Sequence, residues 1–134
     1  MIFSDRKENN PGPVILARNN QMASFALVDD ILRALADHDR RLALYYLQAE
    51  DEAEIEMLAR QVVAWSEEKP IDEITDDELQ QLIMEFRHNH LNRLRDAGCI
   101  EYDERTGMVR YMDPPTILEG LLGVLAPLEH PEEN

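Results

Sequence analysis

The side chains best suited to chemistry gather between residues 79 and 95. In the run LQQLIMEFRHNHLNRLR, Glu85 is the one acidic residue beside Arg87, Arg93 and Arg95. Its surroundings are the opposite: over 50–78, twelve acidic residues stand against two basic ones, and the whole chain has a formal net charge of -15. Gln and Asn pair bidentately with adenine, and Arg with guanine, when a helix lies in a major groove. On a helical wheel, Leu79, Ile83, Phe86, His90 and Ala97 define one buried direction, which leaves Gln81, Glu85, His88 and Asn92 outward. A second direction, set by the family-like run Arg87, His90, Leu91 and Leu94, leaves the same four outward and moves Arg95 from outward to lateral. From this face and the local positive charge, the residues expected to touch DNA are Gln81, Arg87, His88, Asn92, Arg93 and Arg95, joined by Arg105 and Arg110 from a later hairpin. A solvated helix face has the same composition, and Glu85 opposes the reading.

Other chemistries find less support. His88 and His90 are two apart, so on a helix they point away from each other and cannot chelate together. His90, on the apolar side, reads as a core histidine. Cys99 is the only cysteine, so no thiolate metal site and no intrachain disulfide is expected. A buried structural thiol is the simpler reading; a redox bridge between two subunits would need exposure. No nucleophile–base pair and no phosphate-binding glycine loop is present, and pairs such as Asp72-Glu73 or Asp76-Asp77 read as solvated faces or helix caps. The expectation is a protein without enzymatic activity, metal or cofactor.

The elements that must position these residues follow from periodicity. Residues 1–23, with Asn9-Asn10-Pro11-Gly12-Pro13, read as a flexible arm. Phe25, Leu27, Val28, Ile31, Leu32 and Leu35 recur at helical spacing, predicting a helix over 24–36 capped by Ser24. Asp37 caps a second helix, 38–49, expected to bury Leu42, Tyr45, Tyr46 and Ala49 and to turn Arg40 and Arg41 outward. Residues 50–53 read as an acidic turn. A third helix, 54–65, buries Ile55, Leu58, Ala59, Val62 and Trp65, and an acidic loop containing Pro70 follows. Thr75 and Glu78 form a capping box for a long helix over 76–97, which ends at Gly98. The period then falls to two, and Cys99–Met112 reads as a β-hairpin with its turn at Glu104–Gly107. Thr116–Leu128 is a last, leucine-rich helix followed by an acidic tail. The fold class is thus mainly α with a small β-hairpin: an arm (1–23), a domain (24–113), and a C-terminal helix and tail (114–134).

Three helices, the last carrying the local positive charge, then a glycine and a hairpin, is the order of a winged helix-turn-helix. ILRALADHDRRLALYYL, IEMLARQV and HLNRLRDAGCIEYDERTGMVRYM resemble the successive elements of arsenic-repressor-type regulators. Over about 27–112 the chain is similar to a family of small haloarchaeal winged-helix proteins of unknown function, sharing Tyr45-Tyr46-Leu47, Ala64-Trp65, the Pro-containing loop and the HL…L..AG..EYD run. The resemblance implies a winged helix-turn-helix with an additional C-terminal helix. About ten residues, several of them acidic, separate the two helices that a tight helix-turn-helix joins with three or four.

Composition bears on function and setting. Eleven Arg against two Lys, with 28 acidic residues among 134, suits a protein kept hydrated in molar salt. There the Debye length is only about 3 Å, so like charges barely repel. The reading is a halophilic, archaeal, cytoplasmic protein: no apolar run approaches bilayer length, and MIFSDRKENN lacks a signal-peptide core. Ile117, Leu118, Leu121, Leu122 and Leu125 offer more apolar surface than a small domain readily covers, with Gly120 and Gly123 permitting close approach. With Leu27 and Ile31 they are expected to form a two-fold dimer interface. The function expected is a dimeric, sequence-specific DNA-binding transcription regulator that contacts double-stranded DNA through 76–97 and the 99–112 wing. The alternative is an acidic winged-helix interaction module or DNA mimic that engages a basic protein partner through the 66–78 loop.

Overall fold

Residues 25–129 are described by the computed structural model; the arm expected over 1–23, the Ser24 cap and the end of the acidic tail lie outside them. Helix α1 spans 25–35, and α2 (His38–Glu50) begins two residues later. Asp37 caps α2 as expected, its Oδ1 accepting the amides of Asp39 and Arg40. A short strand β1 (Glu52–Glu54) leads into α3 (Ile55–Glu67), and a 3₁₀ turn (Ile71–Glu73) precedes α4 (Asp76–Glu85). The capping box is present: Thr75 Oγ1 accepts the Glu78 amide, and the Glu78 carboxylate accepts the Thr75 amide. A π-helical turn (Phe86–His90) joins α4 to α5 (Leu91–Asp96), so 76–96 forms one rod. The hairpin strands β2 (Ile100–Asp103) and β3 (Met108–Tyr111) follow, then α6 (Thr116–Glu129). The chain is thus mainly helical with a small antiparallel sheet.

The sheet has three strands rather than two. Its order is β1-β3-β2, all antiparallel, with Ala53 opposite Val109 and Tyr102 opposite Val109 on the other side. The expected acidic turn at 50–53 is therefore partly a strand. Ala53 supplies the single inward side chain, while Glu52 and Glu54 alternate outward. Gly107 closes the hairpin at φ +80°, and a Cβ there would sit 3.2 Å from Glu54 Oε2. Its carbonyl accepts the Ile55 amide at 2.8 Å, locking the turn onto the start of α3.

One continuous core joins all the helices and the sheet. Phe86, Ile31, Leu44, Leu47, Ile55, Leu58, Leu91, Leu94, Leu118 and Leu122 are its largest fully buried side chains. The second helix departs from expectation: Ala49 is exposed, Tyr46 and Trp65 are half-buried and meet edge to face, and Arg40 is buried. The reason lies in α1, whose last turn leaves carbonyls without helical partners. Arg40 donates from Nη2 to Arg33 O and from Nε to Ala34 O, both at 2.8 Å, and Arg41 donates from Nη1 to Leu35 O at 2.7 Å. Two consecutive arginines of α2 thus close three consecutive carbonyls of α1.

Arg41 also fixes the C-terminal helix. Its Nε and Nη2 donate to the Glu129 carboxylate at 2.7–3.1 Å, and Tyr45 Oη donates to Glu129 Oε1 at 2.7 Å. These bonds hold Glu129 below the usual carboxylate range. At the other end of α6, Tyr111 Oη donates to Glu119 and accepts from Gln48. Between these ties, Leu118 and Leu122 enter the core with no exposed surface.

This corrects the proposed dimer set. Ile31, Leu118 and Leu122 are core residues of a single chain and cannot be what a partner covers. Leu27 and Ile117 are exposed, and Leu121 and Leu125 are half-buried. Phe25, Val28 and Leu32 on α1, and Val124 and Leu128 on α6, add exposed apolar surface beside them. Among the described residues, nothing beyond their own helical turns lies within 4 Å of the places where Cβ atoms would stand on Gly120 and Gly123.

Candidate nucleic-acid interface

The rod 76–96 sets the geometry of the candidate site. Leu79, Leu82 and Ile83 are buried before the π turn, Phe86 and His90 at its two ends, and Leu91, Leu94 and Ala97 after it. Phe86 and Leu91 stand five apart yet share the core, because the Leu91 amide bonds back to the Phe86 carbonyl. The wider turn leaves Arg87, His88 and Asn89 exposed side by side. Asn92, Arg93 and Arg95 continue this surface along α5. Asn89 was not anticipated. The five-residue apolar gap between Phe86 and Leu91 was the signal for it.

The hairpin brings a second set of arginines near the end of the rod. Arg95, Tyr102, Arg105 and Arg110 line an open groove of about 870 Å³ together with Glu101 and Asp103. The Arg95 guanidinium stands 6.0 Å from the centre of the Tyr102 ring, at the outer range of a cation–π contact. Arg105 is exposed in the turn, where its amide donates to Asp103 Oδ1. Arg110 is compromised: Glu52 accepts from its Nε at 3.0 Å, and Glu101 lies opposite it on β2. Arg110 therefore meets any ligand already paired at the surface.

Gln81 does not join this surface. It lines a separate hollow with Asp39, Glu67, Glu78 and Glu85, four carboxylates and no arginine. The first turn of the rod is also acidic. Asp76 and Asp77 are exposed, and Glu78 is bound by Lys69 Nζ at 3.0 Å. Carboxylates suit a helix N-terminus electrostatically, but they repel phosphate. The positive end of the rod is therefore its second half, 87–95.

His90 is buried, with its side chain 4% exposed. Arg40 Nη1 lies 3.0 Å from His90 Nδ1, and a guanidinium only donates. Nδ1 must then be the acceptor and Nε2 must carry the proton. That Nε2–H has no hydrogen-bond partner among the described residues; Glu85 Oε1 is 3.8 Å away. Burial pushes the His90 pKa below its ordinary value, with the Arg40 charge acting in the same direction. Asp37, Asp39 and His90 bring potential ligand atoms within 4.8 Å of one another. With Nδ1 engaged by Arg40 and Nε2 protonated, however, the neutral ring has no free lone pair for a cation.

Cys99 is fully buried, its Sγ 3.3 Å from Leu94 O, and burial pushes its thiol up to about 12. The thiol is buried, as the sequence suggested. No helix among the described residues is long and apolar enough to cross a membrane.

A helical rod with an arginine- and amide-bearing outer half, flanked by a small antiparallel sheet, is the unit that comparison with known proteins addresses. Residues 32–110 match a domain of unknown function, DUF7344, and the chain belongs to that family. The match runs from α1 to the last strand and leaves α6 outside it. Comparison with curated proteins and with solved structures gives no match.

Proposed function

We propose that this protein is a dimeric winged-helix DNA-binding regulator that reads double-stranded DNA with the second half of its 76–96 rod and with its hairpin. The order helix, strand, helix, helix, strand, strand over α2–β3 supports the winged-helix reading. One observation carries the DNA reading. In a chain of net charge -15, Arg87, His88, Asn89, Asn92, Arg93 and Arg95 are all exposed on the second half of one rod, where Asp96 is the one acidic residue. Asn89 and Asn92 offer bidentate pairing to adenine, and the arginines pair with guanine or phosphate. Arg105 at the hairpin turn is the natural minor-groove or backbone contact. Phe25, Val28, Leu32, Ile117, Val124 and Leu128 supply the apolar surface for a second copy. In a halophilic cytoplasm, salt screens the repulsion between this acidic protein and DNA but also removes most of the counterion-release gain. Base-edge contacts must then carry more of the affinity.

A second reading is favoured by the acidic first turn, Asp76 and Asp77, which lies where a recognition helix ordinarily enters the groove. On that reading the chain is an interaction module or DNA mimic whose 66–78 segment binds a basic protein. Selection of fragmented genomic DNA by the purified protein in molar KCl separates the two. Enrichment of a few sites sharing an inverted repeat is expected. Uniform or no retention by folded protein would overturn the DNA reading in favour of the module. Reversal of Arg87, Arg93 and Arg95 to Glu, one at a time, should weaken retention wherever the arginine faces phosphate.

A further inference from the structure

The Arg40–His90 pair uses more polar chemistry than core packing requires. Arg40 is buried, yet among the described residues its side chain bonds to no carboxylate; its partners there are two carbonyls of α1 and one ring nitrogen of the rod. His90 closes the π turn, at the end of the stretch that exposes Arg87, His88 and Asn89. Its ring is held on a second side by Phe86, edge to face at 5.3 Å. Helix α1, on the far side of Arg40, carries Phe25, Val28 and Leu32 on its exposed face. One guanidinium therefore bridges the helix that offers apolar surface to a partner and the turn that offers polar surface to DNA.

We propose that Arg40 and His90 form a buried strut that sets the Arg87–Asn89 surface relative to α1, with His90 acting as a positioning residue through the acceptor at Nδ1. This rests on the DNA reading above and assigns that site its link to the α1 face. The strut works through hydrogen-bond direction. Arg40 fixes which ring nitrogen is bare, and the bare nitrogen fixes the ring, and with it the end of the π turn.

The design of the test follows from atom positions. Asn at position 90 carries Oδ1 on Cγ, where His carries Nδ1, so His90→Asn keeps an acceptor for Arg40. His90→Gln moves the amide one bond outward and leaves Arg40 Nη1 without its partner. Intrinsic helix propensity ranks Gln above Asn, so a simple helix-stability effect would favour the Gln variant. Two readouts in molar KCl apply to the full chain: hydrogen exchange at the Arg87–Asn89 amides, and the ratio of affinities for a duplex recovered by the genomic selection and for a scrambled duplex. Exchange and ratio should stay within about twofold of wild type in His90→Asn. In His90→Gln, exchange should rise and the ratio should fall, each by about tenfold, the change that removing one buried charged hydrogen bond predicts.

Equal behaviour of the two variants, or greater disturbance by Asn, overturns the strut. A wild-type protein that binds no DNA, with exchange still divided between the variants, overturns the DNA reading and leaves the strut supported. The wild-type tautomer gives a measurement that needs no variant. Nitrogen chemical shifts should place the His90 proton on Nε2; a proton on Nδ1 would overturn the proposal outright.

Discussion

Helix α6 presents two faces with opposite duties, and paired substitutions separate them. Leu122 has no exposed surface, while Val124, two residues on, is 67% exposed. Removing a fully buried leucine side chain loses its transfer free energy and leaves a cavity, at a cost of about 3–5 kcal/mol. A domain of this size has roughly 5–15 kcal/mol in total, so Leu122→Ala should leave it folded but close to its limit. With a urea slope of about 1.5–2 kcal/mol per molar, the unfolding midpoint should fall by roughly 1.5–3 M. Val124→Asp creates no cavity in the monomer and should cost the single chain under about 0.5 kcal/mol. It should instead abolish self-association, read as mass by light scattering in molar KCl. Urea curves at several protein concentrations complete the assay. The Leu122→Ala loss should be nearly independent of concentration, and the Val124→Asp loss should grow with it, as mass action requires for a dimer. A Leu122→Ala cost under about 1 kcal/mol would refute the placement of α6 in the core of its own chain. A wild-type particle near 15.5 kDa at every concentration would refute the dimer.

Four further outcomes follow from the same structure. Glu129 is held low by Arg41 and Tyr45, so its stabilisation is present above about pH 4.5 and is lost as pH falls through its lower folded value. Glu129→Gln should flatten that part of the acid limb of a urea-stability profile and cost about 1–3 kcal/mol at pH 7. His90 is also held low, but as a base: below about pH 6.5 the unfolded chain takes up a proton that the folded chain refuses, so stability falls as pH drops. His90→Asn should remove this slope, and an unchanged slope would mean that another group produces it. Cys99, with its thiol pushed up to about 12, should resist a thiol reagent in the folded protein and react at once in urea. Charge reversal should divide the hairpin, since Arg105→Glu should weaken DNA retention at least tenfold, whereas Arg110→Glu should matter less for DNA because Glu52 already pairs with that arginine.

Much of the frame is legible in the chain because it rests on local rules. Asp37, the Thr75–Glu78 box and Gly98 each declare a helix boundary through chemistry confined to a few residues, and all three stand where expected. The period-two run after Gly98 likewise declares the hairpin. What was not legible depends on distant partners. Arg40 reads as outward on a wheel, since nothing in its own helix reveals that the carbonyl end of α1 arrives beside it. Glu52-Ala53-Glu54 has one apolar side chain, too little pattern for a strand until β3 comes alongside. A wheel of fixed pitch also cannot show the π turn, so Asn89 was missed. Arg87, Arg93 and Arg95 stand out in the sequence by their charge against an acidic surround, and all three are exposed, although the wheel itself turns only His88 and Asn92 of that half of the rod clearly outward. Gln81 was placed among them by the same wheel, but α3 and α2 surround its end of the rod with carboxylates.

The central place of β3 has a consequence for the order in which the chain acquires its shape. Ala53 pairs with Val109, so the sheet cannot begin to close until more than fifty intervening residues have been synthesised and brought round. Helices α2 to α5 can condense early through neighbouring contacts, while the sheet waits for four residues near the end of the domain. A chain cut just before Met108 would retain both outer strands and lose the strand that each of them pairs with. It would lose the whole sheet at a stroke, and with it the anchor of the turn that presents Arg105.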